Sequence, residues 1–225
     1  QSGKQSFWDR PGVLSDKAIV ESNLLNQHGK APFLAATAPH SGDWLLALPI
    51  TACGLRLDDE AVRTAVALRL GVELCVPHTC HCDAQVDAFG VHSLVCKHAS
   101  GRTNRHQAIN DVIARAFVSA DIPVTKEPNG LSVADNKRPD GLTLLPWQEG
   151  KPLAWDVTVI GPLTQSYFSS YTTPGAAAEL AATRKSDKYA NLPNSYLFQP
   201  IAFENLGAIN ESAISLISDL EHKIE

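Results

Sequence analysis

The chain has 225 residues, enough for one domain with extra elements or for two small ones, and its 44% hydrophobic content is ordinary for a protein with a real core. A net charge of −5 excludes a broadly cationic nucleic-acid coat but leaves room for local basic side chains. No apolar run approaches the ~20 residues that cross a bilayer, and the polar start carries no secretory signal; the start at Gln1 and the lack of methionine give the expectation of a piece of a longer polypeptide.

Residues 1–40 contain Pro11, Gly12, Gly29, Pro32 and Pro39 with weak periodicity, and they read as a partly disordered linker with one short helix near Asp16–Asn26. Residues 41–74 read as a helical linker region. It opens on an apolar, compact segment, Ser41 to Pro49. Asp58, Asp59 and Glu60 then start a helix that runs to about Leu70, since acids in a first turn suit the helix dipole, and Gly71 ends it.

Four of the five cysteines crowd into residues 75–96, whereas an extracellular disulfide framework would spread them. Clustered with histidines, they point to a metal in a reducing compartment. Cys80, Cys82, His92 and Cys96 form C-x-C-x9-H-x3-C, which supplies the four thiolate or imidazole ligands of a structural zinc. The last pair sits one helical turn apart, with Asp87 and Gly90 in the intervening turn. The C-x-C is tighter than the usual C-x2-C, so Cys75, His78 and His81 remain alternative ligands, and residues 75–98 are expected to be a zinc knuckle. Cys53 stands apart as a core thiol. The basic stretch that follows includes Lys97, Arg102, Arg105 and His106 and no acid, which suggests phosphate contact.

Residues 99–225 alternate helix and strand. Thr103 or Asn104 caps a helix to about Ala120, with Ile109, Val112, Ile113, Ala116 and Phe117 as its apolar stripe. Strands follow at Pro123–Lys126, Asp140–Leu145 and Leu153–Ile160. A Ser/Thr/Tyr-rich loop over 164–175 leads to a helix from Ala176 to Asn191, then a strand from Tyr196 to Phe203 and a helix from Asn210 to Ile224. Helix, three strands, helix, strand, helix predicts an α/β (α+β) domain with a mixed sheet flanked by helices.

Two of those strands carry carboxylates, in Arg138-Pro139-Asp140-Gly141 and in Trp155-Asp156-Val157-Thr158-Val159. Neighbouring strands can bring Asp140 and Asp156 to one edge, and paired carboxylates suit a hard divalent cation such as Mg²⁺ or Mn²⁺. Such a cation lowers the pKa of a bound water and steadies charge on phosphate. A lysine belongs beside it. The position two residues after the second acid is Thr158, so Lys185 or Lys188 on the following helix substitutes, with Tyr189 on the face of Lys185. Glu127 is a possible third acid, and Asn110 and Asp111 can face the same cleft. An Arg-Pro-Asp turn or a Lys-x-x-Lys-Tyr helix end is common by itself. Their order together carries the inference.

That order resembles the C-terminal region of non-LTR retrotransposon proteins that carry a restriction-like, PD-(D/E)xK-type endonuclease: a segment containing Leu48-Pro49, a Cys/Cys/His/Cys knuckle, an Arg/His-led helix, Arg-Pro-Asp, Asp-x-Thr and Lys-x-x-Lys-Tyr. The likeness covers about residues 41–204, with Trp44 to Pro49 and Arg63 and Arg69 similar to the family's motif before the knuckle. It implies a restriction-endonuclease-like fold in residues 99–225. It also implies a nuclear, intracellular enzyme that nicks target DNA, with RNA as a further partner and a larger reverse-transcriptase polypeptide around it. Asp140 and Asp156 would be the metal ligands, and Lys185 or Lys188 the migrated lysine, with Tyr189 beside it. The alternative is a catalytically silent nucleic-acid-binding module of the same fold; the acidic net charge also fits a protein-interaction domain.

Overall fold

The computed structural model describes residues 5–23, 27–96, 98–99, 101–131, 138–161 and 173–225. Two helices, α1 (Gln5–Asn23) and α2 (Gln27–Ala36), occupy the N-terminal region expected to be mostly linker. The first runs straight through Pro11, and much of its apolar surface faces outward, including Trp8 and Val13. No stripe of buried residues marks α1, which is why periodicity located only its second half.

The apolar residues of the segment 41–49 are mostly exposed. A 3₁₀ turn spans Asp43–Leu45, and Leu45, Leu46 and Leu48 are exposed. Trp44 is half-buried, with the Arg69 guanidinium 4.9 Å from its ring centroid. Helix α3 (Asp59–Leu70) starts as expected: the Asp58 carboxylate accepts from the Ala61 amide at 2.7 Å, and Gly71 closes the helix in the left-handed region. Ser41 is buried close to Gly207, whose φ of +110° favours glycine and where a Cβ would crowd the Ser41 Cα at 3.1 Å.

The knuckle is a two-stranded hairpin, β1 (His78–Thr79) with β2 (Gln85–Val86), followed by the single turn α4 (His92–Val95). Next come α5 (Gly101–Ser119), β3 (Val124–Lys126), β4 (Gly141–Thr143), β5 (Leu153–Ile160), α6 (Ala176–Lys188), β6 (Leu197–Glu204) and α7 (Glu211–Ile224). Helix α5 begins ahead of the expected Thr103 or Asn104 cap; the other elements fall within a few residues of expectation. The four strands form one mixed sheet in the order β3-β4-β5-β6, antiparallel except for the parallel pair β5–β6. The chain is therefore α/β with a mixed sheet between helices.

Period-two alternation along β5 sorts its side chains into two cores. Leu153, Trp155 and Val157 join Ile113 and Phe117 of α5 and Leu216 and Leu220 of α7. On the opposite face Ile160 meets a layer of alanines, Ala177, Ala178, Ala181 and Ala182 of α6 with Ala202 of β6. Alanines let α6 lie close to the sheet. Asp156 belongs to that second face by the same alternation, so the polar end of α6 is brought down onto it. The Glu204 carboxylate anchors the other end, accepting from the Ala178 amide at 3.2 Å in the first turn of α6.

Candidate metal centre and acidic cleft

The hairpin tip and α4 bring four ligand atoms together. Cys80 lies at the end of β1, and Asp83, at φ 65°, makes the tight return that also places Cys82. The Asp83 amide donates to the Cys80 carbonyl at 2.9 Å, closing the turn. One helical turn separates His92 from Cys96, whose amide donates to the His92 carbonyl at 2.8 Å. The four side chains offer atoms within 4.8 Å of one another.

Cys80 Sγ is 3.8 Å from Cys96 Sγ, and Cys82 Sγ is 3.2 Å from His92 Nε2. A tetrahedron with Zn–S about 2.3 Å and Zn–N about 2.0 Å has edges of roughly 3.5–3.8 Å. A disulfide would need about 2.05 Å. The Cys80–Cys96 separation matches such an edge and is too long for a disulfide, the Cys82–His92 separation is a little shorter, and the set could hold zinc. The Ala84 amide, and then the neighbouring thiols and His92, lower the Cys82 thiol to about 7, which favours the thiolate that a metal needs. At Cys80 the Cys82 amide pulls the thiol down, but desolvation and the adjacent Cys82 and Cys96 thiols prevail and raise it. Cys75 is outside the set and donates to the Asp87 carbonyl at 3.3 Å. His78 turns its Nδ1 to the Val76 carbonyl at 2.9 Å, and His81 is likewise not among the four.

Asp140 and Asp156 meet on neighbouring strands. Gly141 pairs with Trp155 in the antiparallel register, so Asp140, one residue before β4, stands across from Asp156. The Asp156 carboxylate is buried beneath the C-terminal end of α6. Lys185 Nζ bonds its Oδ1, the Tyr189 hydroxyl donates to its Oδ2 at 2.6 Å, and Lys188 Nζ is 3.7 Å from Oδ2. Tyr189 is also 2.9 Å from the Arg138 carbonyl, which ties α6 to the Arg-Pro-Asp turn. The four-residue spacing of Lys185 and Tyr189 does place both on one helix face, and Lys185 is the nearer lysine. Lys188 lies over the Tyr189 ring, 4.5 Å from its centroid, and is the more exposed of the two.

Asp140 has a different set of partners. Its Oδ2 accepts from the Val157 amide at 2.6 Å and from His106 Nε2 at 3.0 Å. The hydrogen bond to Asp140 raises the His106 pKa, and the Asp140 and Asp156 charges and the Val157 carbonyl add to it against a smaller opposing effect of burial. Asn110, one turn along α5, donates to the Asp140 carbonyl at 3.3 Å and accepts from Trp155 Nε1 at 2.8 Å. The Trp155 indole covers Gly141, where a Cβ would fall 2.0 Å from Cζ2. Glycine after Asp140 is therefore what lets the tryptophan fill the core, stacked 5.0 Å from Phe117.

A scan against family models found no match, and a search of curated proteins found none either.

Several sequence expectations are redrawn here. Glu127 turns away to Arg138 at 2.8 Å, and Asp111 pairs with Lys126 outside the cleft. Of the basic segment, Lys97 and the Arg102 side chain lie outside the described residues. Arg105 and His106 are half-buried and have partners within the chain. Arg105 reaches back to the Leu94 carbonyl of the knuckle at 3.4 Å, where Asn205 also donates at 3.0 Å, and His106 enters the acidic cleft. The sequence signal for this was present in α5. Asn110 is a polar residue buried beside the apolar stripe of Ile109 and Ile113, and His106 lies one turn before it on the same face.

Proposed function

We propose that this chain is a metal-dependent DNA endonuclease module, a zinc knuckle beside a restriction-like core, similar to the C-terminal region of non-LTR retrotransposon proteins. The observation that carries the reading is the contact of Lys185 with Asp156, directly across from Asp140. A lysine from the β5–β6 connection thereby restores what Thr158 denies the local strand motif.

The donor chemistry fits Mg²⁺ or Mn²⁺. Two carboxylates from adjacent strands supply hard oxygens, and a small divalent ion that keeps several waters needs only one or two carboxylates together with substrate phosphate. Bound there, the cation would supply a water of lowered pKa and positive charge beside the scissile phosphate. The chain's own groups do the rest. Tyr189 holds Oδ2 of Asp156 while Lys185 holds its Oδ1, and the Val157 amide holds Oδ2 of Asp140, which orients the other oxygen of Asp140. Lys185, less than a quarter exposed, orients the attacking water and steadies the charge that builds on phosphorus. Lys188, at the mouth beside Tyr189, is placed to meet a backbone phosphate.

The zinc knuckle is structural in this account, since its four ligands close the tetrahedron. Its Leu94 carbonyl holds Arg105 and Asn205, and so sets the start of α5 against the core. The test is conversion of supercoiled to open-circular plasmid by zinc-loaded protein with Mg²⁺. Retention of DNA without any cutting would favour a silent binding module, and neither binding nor cutting would favour a protein-interaction domain.

A further inference from the structure

Resting on the nuclease reading above, we infer that His106 is a positioning residue of the cleft, which fixes the Asp140 carboxylate and the backbone of Val157, the residue after the second acid, in one geometry for a divalent cation. Nε2 lies 3.0 Å from Asp140 Oδ2 and 3.1 Å from the Val157 carbonyl oxygen. Both are acceptors, so Nε2 carries the proton and donates to both, whichever charge the ring bears. The imidazole is a bracket between the two acid-bearing strands.

Asp140 needs such a bracket. It sits one residue outside a three-residue strand, and its side chain is half-buried. Without restraint its carboxylate would sample several rotamers at a strand end. Here Oδ2 receives two N–H donors, from His106 and from Val157 at 2.6 Å, and so the orientation of the other oxygen, Oδ1, is fixed. Val157 follows Asp156 directly. The same imidazole thereby restrains the Val157–Thr158 peptide, one residue beyond the second carboxylate. The ring is itself anchored, because α5 is fixed one turn on by Asn110, which bridges the Trp155 indole to the Asp140 carbonyl. Carboxylates that ligate a metal depend on such outer hydrogen bonds for their orientation.

The experiment is Mn²⁺ binding to the zinc-loaded protein, followed by electron paramagnetic resonance, for the wild type, Asp140→Asn, His106→Ala and His106→Gln, with thermal melting of each. A glutamine amide can donate near the position of Nε2, and an alanine cannot. His106→Ala should weaken Mn²⁺ about 10–100-fold, and His106→Gln should recover most of that loss. If His106→Ala does not fold, His106→Asn serves, since its amide falls short of Asp140. Wild-type affinity in the alanine or asparagine variant, or no recovery in the glutamine variant, overturns the role given to His106 and leaves the cleft as a cation site. Absence of any Asp140-dependent Mn²⁺ binding in the wild type overturns the nuclease reading itself, and this inference with it.

Discussion

The contact between Gly141 and Trp155 gives a sharp test of how the cleft is supported. In Gly141→Ala the new Cβ would meet Trp155 Cζ2 at 2.0 Å, Cε2 at 2.3 Å and Cη2 at 2.4 Å. Carbon atoms rest about 3.5–4.0 Å apart, so the indole would have to move by roughly 1.5 Å. It has nowhere to go. Trp155 is fully buried, stacks on Phe117 and donates to Asn110 at 2.8 Å. Overpacking costs about 1–3 kcal/mol, and a buried donor left without its acceptor costs about 1–3 kcal/mol more. The sum, about 2–6 kcal/mol, corresponds to a fall in Tm of roughly 5–20 °C for a chain of this size. Urea unfolding of the zinc-loaded protein measures it, and Gly12→Ala, whose Cβ meets nothing within 4 Å, is the control. A loss under about 1 kcal/mol, within the range of an ordinary substitution, would refute the packing argument.

Further expectations concern the metal, the lysines and pH. Purified protein should carry one zinc per chain, and Cys82→Ser or chelation should unfold residues 75–98 and release Arg105 from Leu94, seen as faster amide exchange at the start of α5; protein that folds with no zinc by metal analysis would sink this. Lys185→Ala should slow nicking by about 10²–10³, and Lys188→Ala should slow it less because that ammonium stands 3.7 Å from Asp156; equal effects would mean that the nearer contact is not the functional one. His106 has a raised pKa in the fold. Its stabilisation is therefore complete below the unfolded value of about 6.5 and disappears as pH climbs through the raised folded value. The Tm difference between wild type and His106→Gln, recorded without Mg²⁺ across that range, should favour the wild type at low pH and shrink as pH rises. A difference independent of pH would contradict the assignment of charge.

Where local pattern and tertiary environment agree, the sequence was enough. Leu153–Ile160 reads as a buried strand because both of its faces are covered, and the structure places β5 there residue for residue. The knuckle ligands were legible because zinc demands four soft ligands at short reach, and hairpin and helical turn supply them locally. The approach of Asp156 to Asp140 was legible from neighbouring strands, and the shared face of Lys185 and Tyr189 from helical spacing. Other features depend on distant contacts. His106 meets Asp140 only because α5 packs across β5, and nothing in the local basic pattern distinguishes a phosphate-facing arginine from Arg105 clasping Leu94. The segment from Ser41 to Pro49 reads as apolar and compact, yet Leu45, Leu46 and Leu48 are exposed, because hydropathy alone does not report whether anything covers them.

The central claim is that Asp140 and Asp156 make one phosphodiester-cleaving site. It is tested most directly by plasmid nicking in Mg²⁺ for the wild type, Asp140→Asn and Asp156→Asn, beside DNA binding measured for each in Ca²⁺. The account predicts nicking by the wild type, a loss of at least about 10²–10³ in either variant, and nearly unchanged DNA binding. Variants that nick at the wild-type rate, or a zinc-loaded wild type that binds DNA and never nicks it, would contradict it.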